Sequence, residues 1–323
     1  MARESAQESA KESTKQSAPQ DTSSTSTAAA DKDAAKGVTF GLIAYTLWGC
    51  FPIFFSLFEG VPAWEILTHR ILWACLFLAL VVTLLGRWQP VKTALRAPRL
   101  LVRVLGCALL IGFNWGLYIY AVETHHVLQA SLGYFMTPLV NVALGMLVLR
   151  ERMSRLQGAA VAIAIVAIGV QLVGLGGLPW ISICLALSFG TYGLLRKQVS
   201  LDGLSGLFVE TLILLPLGLL AVAWFEIAGL SHFGGTAHNT TLLIASGALT
   251  ALPLLAFAGA ARRLRLSTVG FLMYINPTLQ FLIALLIFRE PLGTLQLITF
   301  VLIWLGLALY SLSAWQGRYA GAK

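Results

Sequence analysis

The chain has 323 residues, of which 58% are hydrophobic and only 11% charged, with a formal net charge of +8. An average soluble domain carries about 25% charged residues, so this composition excludes a water-soluble globular protein and places the chain in lipid. The basic excess does not point to nucleic acid, because its lysines and arginines sit in short connections between apolar runs, where they set membrane topology.

Residues 1–36 are Ser, Thr, Ala, Gln, Lys and Glu with scarcely a bulky apolar side chain, which predicts a disordered cytoplasmic tail. The stretch lacks a continuous apolar core, so it is not read as a cleavable signal peptide. Ten apolar segments follow, at about 38–58, 64–85, 100–122, 127–149, 156–174, 178–196, 204–225, 240–260, 268–288 and 294–314. They run unbroken for about 18 to 23 residues rather than alternating over about 10, which predicts transmembrane helices and not a barrel. The fold class expected is therefore an all-α polytopic membrane protein. Residues 316–323 read as a cytoplasmic C-terminal tail.

Orientation follows from the basic residues. With the N-terminus inside, inner connections hold Arg87, Lys92, Arg96 and Arg99, then Arg150, Arg152 and Arg155, then Arg196 and Lys197, then Arg262, Arg263 and Arg265. Arg289 is the exception on the outer side. Both termini are expected in the cytoplasm. Cys50, Cys75, Cys107 and Cys184 lie in apolar runs without metal-ligand spacing and read as free, structural thiols.

A repeat organises the chain. Tyr134-Phe135-Met136-Thr137-Pro138, Arg150-Glu151 and Leu156-Gln157 return as Met273-Tyr274-Ile275-Asn276-Pro277, Arg289-Glu290 and Leu295-Gln296, each pair 139 residues apart. About five spans separate equivalent points. An odd number makes the two copies enter the bilayer in opposite senses, as in secondary transporters.

Several polar residues lie at membrane depth. Glu65 and His69 share a helix face with Arg70 beside them, a charge cluster suited to binding an anionic group, relaying protons or forming an internal ion pair. Glu210 is a second proton-site candidate, its alternative being a carboxylate at the inner interface. Trp48, Asn114, Trp115, Tyr118, Tyr134, Asn141, Tyr274, Asn276 and Gln280 are candidates to line a substrate cavity. Pro138 and Pro277, at matching positions, are expected to distort their helices near the bilayer centre. His125-His126 reads as a solvated turn and not a metal site. The sequence contains no phosphate-binding GxxxxGK[ST] loop, HExxH or GxSxG, so neither an enzyme nor a bound cofactor is expected.

The strings Glu65-Ile66-Leu67-Thr68-His69-Arg70, Asn114-Trp115, Gln129 to Phe135, Pro138 to Asn141, and Arg263 to Thr268 with Gly270 resemble the RarD permeases. These form part of the EamA branch of the drug/metabolite transporter superfamily, and the resemblance covers residues 37 to 315. It implies an inner-membrane carrier of ten helices in two inverted five-helix repeats, 37–174 and 175–315, with a central cavity and alternating access. The expected partners are a small-molecule substrate and the lipid bilayer. Spans five and ten are nearly free of polar residues and would pack peripherally, as at a homodimer interface. Two alternatives stay open: an uncoupled facilitator or channel, and a membrane scaffold acting through its tail.

Overall fold

In lipid every backbone polar group must be satisfied within the chain, so long apolar segments fold as helices. The computed structural model describes residues 22–149, 154–175, 178–261, 263–264, 268 and 272–320, and the regular elements among them are helical. They are α1 (Thr22–Gly49), α2 (Phe51–Phe55), α3 (Ala63–Leu84), α4 (Trp88–Leu95), α5 (Pro98–Glu123), α6 (Val127–Leu149), α7 (Arg155–Leu175), α8 (Trp180–Lys197), α9 (Gly203–Ala228), α10 (Ala237–Ala261), α11 (Ile275–Leu286) and α12 (Thr294–Ala320). Among the described residues, eight helices are long and apolar enough to cross a membrane, and two shorter apolar ones cover Trp180–Arg196 and Ile275–Leu286.

The structure departs from the sequence reading in five places. Helix α1 starts at Thr22, so residues 22–36 extend the first helix instead of forming a coil. The nucleation cost is borne by the apolar segment, and Ala28 to Ala30, Ala34 and Ala35 propagate it backwards. Asp33 on that extension pairs with Arg263 Nε at 3.0 Å, while residues 1–21 lie outside the described residues. The first span is broken between Gly49 and Phe51, because Pro52 has no N–H and its ring excludes a continuous helix. The ninth span is interrupted by a turn at Met273 and Tyr274, between helical Leu272 and the start of α11 at Ile275.

Helix α4, the fourth departure, was not anticipated. It is a short amphipathic helix that buries Val91 and Ala94. Finally, α12 continues to Ala320, through most of the expected C-terminal tail. Residues 321–323 and the basic residues Arg150, Arg152, Arg262 and Arg265 lie outside the described residues.

Helix α10 packs on both α1 and α3, and α3 also packs on α9. Helix α8 packs on both α5 and α6, α6 meets α11, and α7 pairs with α12. Small residues permit the closest crossings. A Cβ at Gly133 of α6 would sit 2.8 Å from the Ser182 carbonyl of α8, and one at Gly247 of α10 would strike the backbone of α3 at Trp73.

Asp202 starts α9. Its Oδ1 accepts the Ser205 N–H at 3.2 Å and its Oδ2 accepts Arg87 Nη2 at 3.0 Å. Partial burial works to raise the Asp202 carboxyl pKa, but the Ser205 hydrogen bonds and the Arg87 charge outweigh it and hold the group below the ordinary range. A depressed pKa adds stability above the unfolded value, and that stability is lost as pH falls through the folded one. Asp202→Ala should therefore cost about 1 kcal/mol and lower the apparent melting temperature by about 2 °C at pH 7. Thermal unfolding in detergent checks this, with the difference from wild type shrinking once the pH is below about 4.

Candidate functional site

Arg70 lies two turns into α3, about 10 Å from its start at about 1.5 Å per residue. Its side chain is 97% buried, the residue being 3% exposed. Its Nε donates to Thr250 Oγ1 of α10 at 2.7 Å, and that hydroxyl in turn donates to the Ser246 carbonyl. Three aromatic faces surround the guanidinium: Trp115 at 4.4 Å and Phe51 and Phe55 each at 5.4 Å from Cζ. The break in the first span is what turns Phe51 and Phe55 of α2 onto it. A desolvated cation–π contact contributes about 2 kcal/mol, against an effective desolvation cost of several kcal/mol per buried ion. The aromatic shell thus offsets much of the burial. It does not use the donors: among the described residues Nη1 has no hydrogen-bond partner and no carboxylate pairs with Arg70.

Tyr118 of α5 packs on Phe55 with ring centroids 6.1 Å apart, and Tyr134 of α6 lies beside Tyr118 with centroids 5.8 Å apart. Tyr118 Oη is buried without a partner among the described residues. Tyr134 Oη donates to Asn114 Oδ1 at 3.1 Å, and Asn114 Nδ2 donates to the Leu185 carbonyl at 3.1 Å and to Ser188 Oγ at 2.9 Å. Asn114 is fully engaged in joining α5, α6 and α8.

The three charged residues predicted as one cluster are divided between two environments. Fully buried Glu65 accepts the His232 N–H on Oε1 and contacts His232 Nδ1 through Oε2, both at 2.7 Å. The His69 ring stacks on Phe233 with centroids 4.9 Å apart, and Phe233 also meets Trp73. Residues 229–236, between α9 and α10, are thereby fastened to the first turns of α3. Arg70, one residue further round the helix, faces the aromatic shell instead, and no ion pair joins it to Glu65 among the described residues.

Glu210, 1% exposed on α9, lies against the far end of α8. Arg196 Nε is 3.5 Å from Oε1, and Tyr192 Oη donates to Oε2 at 3.2 Å. Arg196 Nη2 also donates to the carbonyls of Leu201 and Asp202, lying across Gly206, where a side chain would collide with it. The carboxylate is buried against α8 and not exposed to solvent.

The remaining candidates are dispersed. Trp48 packs edge-on against Tyr45 and beside Phe257. Gln280 Nε2 donates to Asn276 Oδ1 at 2.7 Å, Tyr274 sits in the turn ahead of α11, and exposed Asn141 lies beside Gly190 of α8. Pro138 is inside α6 as expected. Pro277 is in the first turn of α11, where its missing N–H has no intrahelical partner to lose, so it starts a helix instead of kinking one. Ser131 Oγ donates to its carbonyl at 2.8 Å. Among the described residues, none of the expected cavity residues lines either of the two best-formed crevices. The crevices the structure presents are lateral and almost wholly apolar, about 360 Å³ beside Gly112, Phe113 and Trp180 and about 290 Å³ beside Thr68, Leu214 and Leu217.

Phe51, Phe55, Thr250, Tyr192, Arg196 and His232 were not among the predicted site residues. Tyr192 and Arg196 are four apart on α8, as are Gly206 and Glu210 on α9, so helical spacing held that signal. Glu290 was also missed as a functional contact. Its carboxylate oxygens accept the Val127 and Leu128 N–H groups at 2.7 and 2.8 Å, capping α6 from the connection before α12, and exposed Arg289 beside it has a φ of 53°. Burial pushes the Glu290 carboxyl above its ordinary range despite those two bonds.

Residues 35–173 match the EamA-like transporter family. The chain is 45% identical to the RarD protein of Salmonella typhi, covering 88% of this chain and 97% of that one. It is 43% identical to a protein of Vibrio cholerae described as an uncharacterized transporter, covering 90% and 97%. A crystal structure 18% identical in sequence superposes with a TM-score of 0.56 over 87% of this chain and 98% of its own, a likeness of fold.

Removing one member of a buried ion pair leaves the other charge uncompensated. Arg196→Met should destabilise the protein by about 3 kcal/mol, and Arg196→Met combined with Glu210→Met should recover most of that. Unfolding in mixed detergent micelles measures both.

Proposed function

The chain belongs to the EamA-like transporter family, among its RarD members, and on that premise we propose that it is a secondary transporter of the bacterial inner membrane, moving a small metabolite or drug outward by alternating access. The observation that carries this reading is the burial of Arg70 and Glu210 inside lipid-length helices. An ionised side chain at the middle of a span costs about 2.5–3.5 kcal/mol even on permissive scales, and such residues mark solute and proton pathways.

Two inverted five-helix repeats are supported by the 139-residue sequence register and by the pattern of packing. The α10 contacts with α1 and α3 correspond to the α5 contacts with α8 and α9 once the halves are exchanged. Counting the short apolar helices α8 and α11 as spans gives ten, with both termini inside by the distribution of basic residues. The breaks at Gly49–Phe51 and before α11 lie where a carrier bends its helices around a solute. Gly49 packs on Leu279 and the Asn276 carbonyl, so the two broken spans meet.

In this reading the connection 229–236 closes the outer side through Glu65 and Phe233, and it releases when the carrier turns outward. Glu210 carries the coupling proton. As a carboxylate it holds Arg196 and Tyr192; when protonated it loses the ionic attraction, and α8 and α9 are free to separate. Helices α7 and α12, peripheral and largely apolar, offer a surface for a second copy.

The test is flux in proteoliposomes, with and without an imposed pH gradient, for a panel of amino acids, amphenicols and small organic anions. A solute should move with the gradient, and Glu210→Gln should abolish that coupling while the protein stays folded. Flux indifferent to the gradient in wild type would favour a facilitator.

A further inference from the structure

Two donors in this protein are buried and unused beside one phenyl ring. Arg70 Nη1 and Tyr118 Oη each lack a hydrogen-bond partner among the described residues, and both side chains lie against Phe55, whose ring centroid is 5.4 Å from the Arg70 Cζ and 6.1 Å from the Tyr118 ring. Trp115, which covers the guanidinium, and Tyr118 are one turn apart on α5. Buried donors are normally satisfied, and two left unsatisfied beside one ring suit an acceptor that the chain itself does not supply.

From this geometry, and resting on the carrier reading above, we infer that the transported solute is an organic monoanion whose carboxylate is bound by Arg70 and the Tyr118 hydroxyl, with its apolar part against Phe51, Phe55 and Trp115.

Three features narrow the class. The guanidinium is a single positive charge. The next basic side chain along α3, His69, is stacked on Phe233, and Arg196 is held by Glu210. A dianionic phosphate would go half-neutralised, whereas a carboxylate is matched. The buried carboxylates that could receive an ammonium group are engaged elsewhere, Glu65 with His232 and Glu210 with Arg196. A zwitterionic amino acid therefore finds a partner for its carboxylate and none for its amine. The wall is aromatic, which selects an apolar remainder over a sugar or polyol. Arg70 Nε stays on Thr250 of α10, so a bound carboxylate joins α3, α5 and α10 through one guanidinium.

The experiment uses the full-length protein and matched probes. Phenylacetate and hexanoate are the monoanions, phenylacetamide is the neutral counterpart, and phenylalanine is the zwitterion. Binding is read as thermal stabilisation in detergent and movement as flux into proteoliposomes. The carboxylates should bind and cross, the amide and the amino acid should do neither, and Arg70→Gln should lose carboxylate binding while Arg70→Lys keeps part of it. Should Arg70→Gln not fold, Tyr118→Phe retains the ring packing and should weaken carboxylate binding roughly tenfold or more. Equal binding of phenylacetamide or phenylalanine, or carboxylate binding unchanged in both variants, overturns the anion site, and flux of any probe would then leave the carrier reading standing. Arg70-dependent binding without flux upholds the site and overturns the carrier reading. No binding of either carboxylate by wild type overturns the proposal.

Discussion

A charge inside a lipid-spanning helix must be compensated by the protein, because the surrounding hydrocarbon offers nothing. Much of this architecture follows from how that constraint is met at Arg70. One helix cannot do it, so α2 supplies two phenyl rings, α5 an indole and α10 a hydroxyl, and the four elements are drawn to one point. The rings from α2 are available because the first span is broken at Gly49–Phe51, and the break is a property of Pro52.

Glu210 meets the same constraint differently. There the compensation is a second charge, Arg196, held in place by two backbone carbonyls and by the missing side chain of Gly206. Glu65 is compensated from a connection, through the backbone and ring of His232. Three buried charges are thus matched by three kinds of partner: aromatic faces with a hydroxyl, an ion pair, and a loop. A pair of opposite charges and a loop contact can both be released by protonation or by movement, while a guanidinium with free donors awaits a partner from outside. On the proposed carrier reading, that division separates the places where the protein would change state from the place where it would hold its solute.

Sequence reasoning located the lipid-length helices well because hydropathy and length are summed over many residues and tolerate local exceptions. It located the buried charges for the same reason: any charge in such a run stands out. What it could not supply was partnership. Glu65, His69 and Arg70 share one turn, and spacing alone makes them a cluster, yet His232 is 167 positions from Glu65 and Thr250 is 180 from Arg70. Pro277 and Pro138 match by register and are placed differently, Pro138 inside α6 and Pro277 in the first turn of α11, because register alone does not show where a helix starts. Helix α1 shows the opposite limit: a polar, alanine-rich segment that composition reads as coil becomes helical when attached to a helix already formed.

Alternating access requires that the Glu65–His232 closure exist in two states. Pulsed electron spin resonance between labels at Gly235, in the connection that carries His232, and His125, in the turn before α6, measures this directly in lipid nanodiscs. Two distances are expected, with Glu65→Gln shifting the population toward the longer one. A single distance, the same in both proteins, would mean that the connection is a fixed cap and would contradict an alternating-access carrier.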